Sequence, residues 1–162
     1  MKTILNQILL LLSAIIIFSC DFSTENGVVE IIEEPTIKQG VYGIVKFWEG
    51  DFMPSPNTYQ KDGTPVSREV FIYELTYRDM AEKIAYTTFF RKINTKLIAS
   101  KFLNDKGFFE FELPEGKYSI FVKEDSLYYA NIWDGQGNIF PFVVKKDSLT
   151  KIDFNITYKA YF

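Results

Sequence analysis

Between Lys151 and Tyr158 the side chains alternate without a break. Ile152, Phe154, Ile156 and Tyr158 fall on one side, and Asp153, Asn155 and Thr157 on the other. A β-strand with one wet face requires this period of two, because successive side chains of an extended chain point to opposite faces. Phe108 to Leu113 repeats the pattern, with Phe109, Phe111 and Leu113 opposed by Glu110 and Glu112. From Gln39 onward such runs are short and separated by turn-forming Gly, Pro, Asn and Asp, which predicts an all-β sandwich. The aromatic content of 17%, with ten Tyr and sixteen Phe, favours strands over helices.

Read in order, the strands are Gly40 to Trp48, Ser67 to Thr76, Asn94 to Phe102, Phe108 to Leu113, Tyr118 to Lys123, Leu127 to Trp133, Ile139 to Lys145 and Lys151 to Tyr158. Ser67 to Thr76 is apolar on both faces, the mark of a central strand. Residues 49–65 form a long polar loop with Pro54, Pro56 and Pro65. In residues 77–92, Met80 and Ile84 with Ala81 and Ala85 sit at helical spacing, while Tyr86 to Phe90 is rich in β-formers. That stretch is expected to be a short helix or ordered crossover running into a strand. Pro114-Glu115-Gly116 is a turn from which Tyr118 to Lys123 returns antiparallel to the preceding strand. The expected architecture is a Greek-key sandwich of seven or eight strands with a short helical or irregular insertion.

The amino-terminal segment follows a different logic. Lys2 precedes an apolar run, Ile8 to Phe18, broken only by Ser13 and Ala14. The run is about half of the roughly 20 residues that span a bilayer, and its layout is that of a secretory leader. Ile17-Phe18-Ser19-Cys20 resembles the lipobox of bacterial lipoproteins, and Cys20 is the one cysteine of the chain. The resemblance implies a diacylglyceryl group on the Cys20 thiol, cleavage before it, and acylation (palmitate, for example) of the new amino terminus. Two or more acyl chains anchor stably where one is marginal. The expected organisation is a leader at 1–19, an acidic tether at 20–37 and a β-sandwich domain at 38–162. The expected location is the cell envelope, lipid-anchored at the outer membrane, with the face left open. Residues 21–37 contain five acids and no base, which keeps such a segment extended; Val28 to Ile32 leave room for a further strand.

Composition excludes several chemistries. The chain contains no histidine, so a Ser-His-Asp triad, an imidazole base and a histidine metal ligand are all ruled out. With Cys20 committed to lipid there is no thiol nucleophile, and no cofactor is expected. The formal charge of −3 becomes −4 when the leader removes Lys2, its only charge. That sign argues against nucleic acid as a partner. A non-enzymatic protein is expected.

Gly107-Phe108-Phe109-Glu110-Phe111-Glu112-Leu113-Pro114-Glu115-Gly116-Lys117-Tyr118-Ser119-Ile120-Phe121-Val122 resembles the signature hairpin of carboxypeptidase regulatory-like domains. Gly63-Thr64-Pro65-Val66, leading into Val70 to Glu74, is similar to the turn that opens the second strand of that family. The resemblance spans residues 40–125 and implies a transthyretin-like sandwich serving as a structural or accessory module. Residues 77–93 and 128–135 depart from the family pattern.

Candidate binding residues are few. Trp48, Phe52, Tyr59, Tyr128, Tyr129 and Trp133 could stack on sugar rings, with Asp51, Asp62, Asn131 and Asp134 accepting hydroxyl hydrogen bonds. Strand alternation places Tyr129, Asn131 and Trp133 together. The plainer reading is that these rings fill the core. Asp134-Gly135-Gln136-Gly137-Asn138 superficially resembles a calcium loop, yet the closing twelfth position is Lys145, where an EF-hand requires Glu. The leading expectation is a membrane-anchored binding or accessory module, whose partner is an envelope protein or a polysaccharide. The alternatives are a carbohydrate-binding module with exposed aromatics and a carboxylate-dependent hydrolase, for which no pair of acids stands out.

Overall fold

The computed structural model describes residues 33–53 and 62–162. The leader, Cys20, Val28 to Ile32 and Tyr59 lie outside the described residues. Eleven strands form two sheets, as the alternation predicts for a sandwich. The strands are β1 (Gly40–Asp51), β2 (Thr64–Pro65), β3 (Glu69–Glu74), β4 (Ala81–Lys83), β5 (Phe89–Ile93), β6 (Leu97–Phe102), β7 (Phe108–Glu112), β8 (Gly116–Glu124), β9 (Leu127–Tyr129), β10 (Pro141–Val144) and β11 (Leu149–Tyr161). Beyond the eight strands read from the sequence are the short β2 and β4, and β5, the strand into which residues 77–92 were expected to run.

The smaller sheet is built on β1. It pairs parallel with β11 on one side and antiparallel with β7 and β2 in succession on the other. The larger sheet runs β4-β5-β9-β8-β3-β6, with β10 beside the first half of β8. Val41, Val45, Phe109, Phe111, Phe154 and Ile156 from the smaller sheet and Val70, Ile72, Ile120, Val122 and Tyr129 from the larger are all buried in the core. Register identifies the facing side. Tyr129 pairs with Val122 and packs on Phe154, so that face of the larger sheet meets β11. Its other face carries Phe71, Tyr73, Phe90, Phe121 and Tyr128 in edge-to-face contacts 5.2–6.3 Å apart. Burial on both faces is what the continuous apolar run of β3 predicted.

Three local expectations need correction. β7 and β8 are not a hairpin: β7 pairs with β1, whereas β8 pairs with β3, β9 and β10. The Leu113–Glu115 corner therefore carries the chain from one sheet to the other. Residues 81–85 are not helical. The helical spacing yields a single 3₁₀ turn, Arg78–Met80, followed by the β4–β5 hairpin. The strand expected over 127–133 stops at Tyr129, and Trp133 makes only an isolated bridge to Ile139. Beyond it, Phe140 takes φ 36° to lay its ring on Phe154, 4.6 Å away and nearly parallel. A bulky side chain in the left-handed region costs roughly 1–3 kcal/mol, so the stacked ring must hold it there.

Glu33 to Phe162 form one compact unit. The last residues of the acidic segment are tied to it. Glu33 pairs with Lys106 at 2.9 Å, and the Glu110 carboxylate accepts the Thr36 amide at 2.7 Å and its hydroxyl at 2.8 Å.

Candidate functional site

The β1–β11 ladder runs from the Gly40–Leu149 pair to the Asp51–Tyr161 pair, but β2 pairs no further along β1 than Phe47. From Glu49 on, the two strands continue as a ribbon with no third strand among the described residues. The register shifts between Phe47 and Glu49, leaving one extra residue on β11. Such a bulge bends its strand and increases twist. Tyr158 lies in this bulge and packs on Phe47, Phe89 and Tyr129, joining the ribbon's root to the core.

Trp48 lies on the ribbon's outward side. Its indole N–H donates to Asn155 Oδ1 at 2.9 Å. Its ring meets Phe52 at 4.8 Å and Phe162 at 6.2 Å, tilted by 54° and 45°, and Phe52 and Phe162 stack at 5.8 Å. Gly63 seats against the indole, where an added Cβ would lie 2.4 Å from Nε1. At this end of the ribbon Met53 is 56%, Phe162 69% and Tyr161 74% exposed. The end of the ribbon therefore combines a half-buried tryptophan with three large apolar side chains in water. Asp51 and Asp62 are engaged locally: Asp51 accepts the Met53 amide, and Asp62 pairs with Lys46. The hydrogen bond from Lys46 holds the Asp62 carboxyl below its ordinary range.

The other candidates separate. Tyr129 is 1% exposed, which removes it as a surface stacking ring. Its hydroxyl accepts the Thr157 amide at 3.1 Å, and Asn131 Nδ2 donates to Asn155 O at 3.1 Å. These are outward backbone groups of β11, an edge strand, so the two side chains cap that edge where another strand would otherwise pair. Asn131 Oδ1 is buried without a partner among the described residues. Asn155 thus links Trp48 to Asn131, and Thr157 links Asn131 to Tyr129. Trp133 and Asp134 stand apart from this group. Trp133 packs 6.0 Å from Phe90 beneath the Lys83 ammonium, 4.9 Å from its ring. Asp134 closes its own turn, accepting the amides of Gln136 and Asn138 and the Asn138 side chain. The Asn138 bond leads the causes that lower its carboxyl pKa. Among the described residues no group of His, Cys, Asp or Glu is placed to hold a metal ion.

Sequence reasoning missed a second polar feature. Ser67, Arg68, Glu69, Phe102, Lys123, Glu124 and Asp125 line a groove of about 470 Å³. At its floor the buried Glu124 pairs with Arg68 and accepts the Tyr158 hydroxyl at 2.8 Å. Arg68 also lies over Phe47. Burial, reinforced by the Glu124 carboxylate, pushes Tyr158 up to about 12. Glu124 ends β8 of the larger sheet and Arg68 immediately precedes β3, while Tyr158 and Phe47 belong to the smaller sheet, so the cluster fastens the sheets together. Its trace in the sequence is the pair of charges, Lys123 and Glu124, that follows the apolar run ending at Val122.

Comparison of the chain with protein-family models, with curated proteins and with solved structures gives no match.

Proposed function

We propose that this chain is a lipid-anchored, non-enzymatic β-sandwich of the cell envelope that binds a protein partner through the aromatic end of the β1–β11 ribbon. The observation that carries the reading is the cluster of Trp48, Phe52 and the exposed Phe162, with Met53 and Tyr161 also exposed, at the end of an overhanging two-stranded ribbon. Exposed apolar residues scattered singly are ordinary; grouped ones mark interaction surfaces. Aromatic residues and Met are enriched at protein interfaces. A protein surface suits this end better than a sugar. The rings around Trp48 are tilted rather than coplanar, Phe52 and Gly63 crowd the indole, and its N–H is already spent on Asn155. The lipid anchor rests on Cys20 and the residues before it. The absence of histidine from the whole sequence supports a role without catalysis.

The test is gentle detergent extraction of the full chain with its associated proteins, comparing wild type with Tyr161→Ser and Phe162→Ser. Both side chains are exposed, so both variants should melt with the parent. The reading predicts a defined partner with the wild type and its loss from both variants. A wild type that returns alone, or an unchanged partner in both variants, would contradict it.

A further inference from the structure

Among the described residues, most sheet edges of this sandwich are blunted. On β11, Tyr129 and Asn131 occupy the outward backbone groups of Thr157 and Asn155. β2 has two residues, one of them Pro65. β4 has three residues, is interrupted by a register shift and carries Glu82 and Lys83. Beside β7, Thr36 is bonded to Glu110. Short strands, proline, charge and cover are the devices by which sheets avoid pairing with other chains. β6 carries a lysine, Lys101, and a register shift at Ile98, but among the described residues nothing covers its outer side. It is six residues long, has no proline, and pairs only with β3.

The orientation of its backbone follows from one bond. Leu103 N–H donates to Arg68 O, so Lys101 and Ala99, two and four residues back, also turn their backbone groups toward β3. Ser100 and Phe102 therefore point their N–H and C=O groups away from the sheet, and neither has a hydrogen-bond partner among the described residues. A register shift at Ile98 places Leu97 opposite Tyr73, on the same face as Ser100 and Phe102. Leu97 is 45% and Phe102 71% exposed. Lys101, paired with Val70, lies on the opposite face, where its charge acts on Glu110.

We propose that β6 pairs antiparallel with β6 of a second copy of this chain, about a two-fold axis through Ser100. Two registers satisfy the outward backbone groups. One centres on Lys101 and sets two ammonium groups opposite each other, which is destabilising. The other centres on Ser100. It places Lys101 opposite Ala99 and brings Phe102 of each copy against the Leu97–Ile98 end of the other. The strand is thus self-complementary: apolar meets apolar, charge meets a small residue, and the isologous contact closes as a dimer. This contact is independent of the ribbon end and of the lipid anchor.

Three variants of the acylated full chain, held in excess detergent micelles, test it. Ser100→Pro removes the outward N–H on each copy and breaks no bond to β3, because proline is tolerated on an edge strand. Sedimentation should show a wild-type dimer whose association weakens by about ten- to a hundredfold in Ser100→Pro, the loss expected for two hydrogen bonds. Ser100→Cys should give a covalent dimer on mild oxidation, and Ser126→Cys, in an exposed turn, should not. A monomeric wild type, undiminished association in a folded Ser100→Pro chain, or no covalent Ser100→Cys dimer would each overturn the proposal. If Ser100→Pro fails to fold, the cysteine pair decides alone.

Discussion

Gly43 sits mid-strand in β1, where a glycine weakens a sheet unless another backbone needs its space. That backbone is β11: a Cβ on Gly43 would lie 1.6 Å from the Ile152 carbonyl oxygen. Gly43→Ala must therefore push β11 off β1. We predict a loss of several kcal/mol, or failure to fold, measured by urea unfolding of the full chain. Unfolding at the wild-type midpoint would show that the two strands are not this close. A glycine inside a strand was visible in the sequence; the strand that presses on it was not, because Gly43 and Ile152 are distant along the chain. Tyr129 and Asn131 show the same limit. Their residue types suit a sugar platform, and only the position of β11 reveals that they cap an edge.

At the level of elements, the sequence made β7, β8 and β11 legible as strands, since alternation and continuous apolar runs are local signals. Their pairing was misread at Pro114-Glu115-Gly116. Hairpin partners share the same two faces, yet β7 alternates buried and wet residues whereas β8 is buried on both sides from Tyr118 to Val122. That mismatch was available and is the physical sign of a change of sheet. β7 also holds residues 33–37 through Glu110, whose carboxyl is lowered from 4.5 first of all by the hydrogen bond from the Thr36 side chain. A depressed carboxylate contributes stability that is complete above its unfolded pKa and is lost as pH falls through the folded value. The contact should accordingly hold at neutral pH and loosen below about 4.5. Amide exchange at Thr36 should accelerate relative to β1 amides across that acid window in the wild type and already at neutral pH in Glu110→Ala. Equal protection in both proteins at neutral pH would refute the role assigned to Glu110.

For the whole molecule, two features organise the sandwich: the Arg68–Glu124–Tyr158 fastening between the sheets and the ribbon that extends past it. Removing Arg68 strands a buried carboxylate. Breaking a buried pair costs about 3–5 kcal/mol, and Arg68, about one-third exposed, belongs near the low end. Arg68→Ala should lower stability by about 3 kcal/mol, and Arg68→Lys should recover only part of this, having lost the planar fork. Neither change should affect partner binding at the ribbon if the two features act separately. The sandwich class was readable from period and turn chemistry. The overhang and the fastening were not, because each depends on where β11 ends against β1.

The most direct measurement is photocrosslinking in intact cells from a benzophenone residue placed at Tyr161, with Tyr86, fully exposed on the β4–β5 turn, as the comparison site. The account predicts one discrete protein adduct from position 161, none of that mass from position 86, and loss of the adduct when Phe162→Ser is added. The same adduct from both positions, or none from 161, would contradict a partner-binding ribbon end.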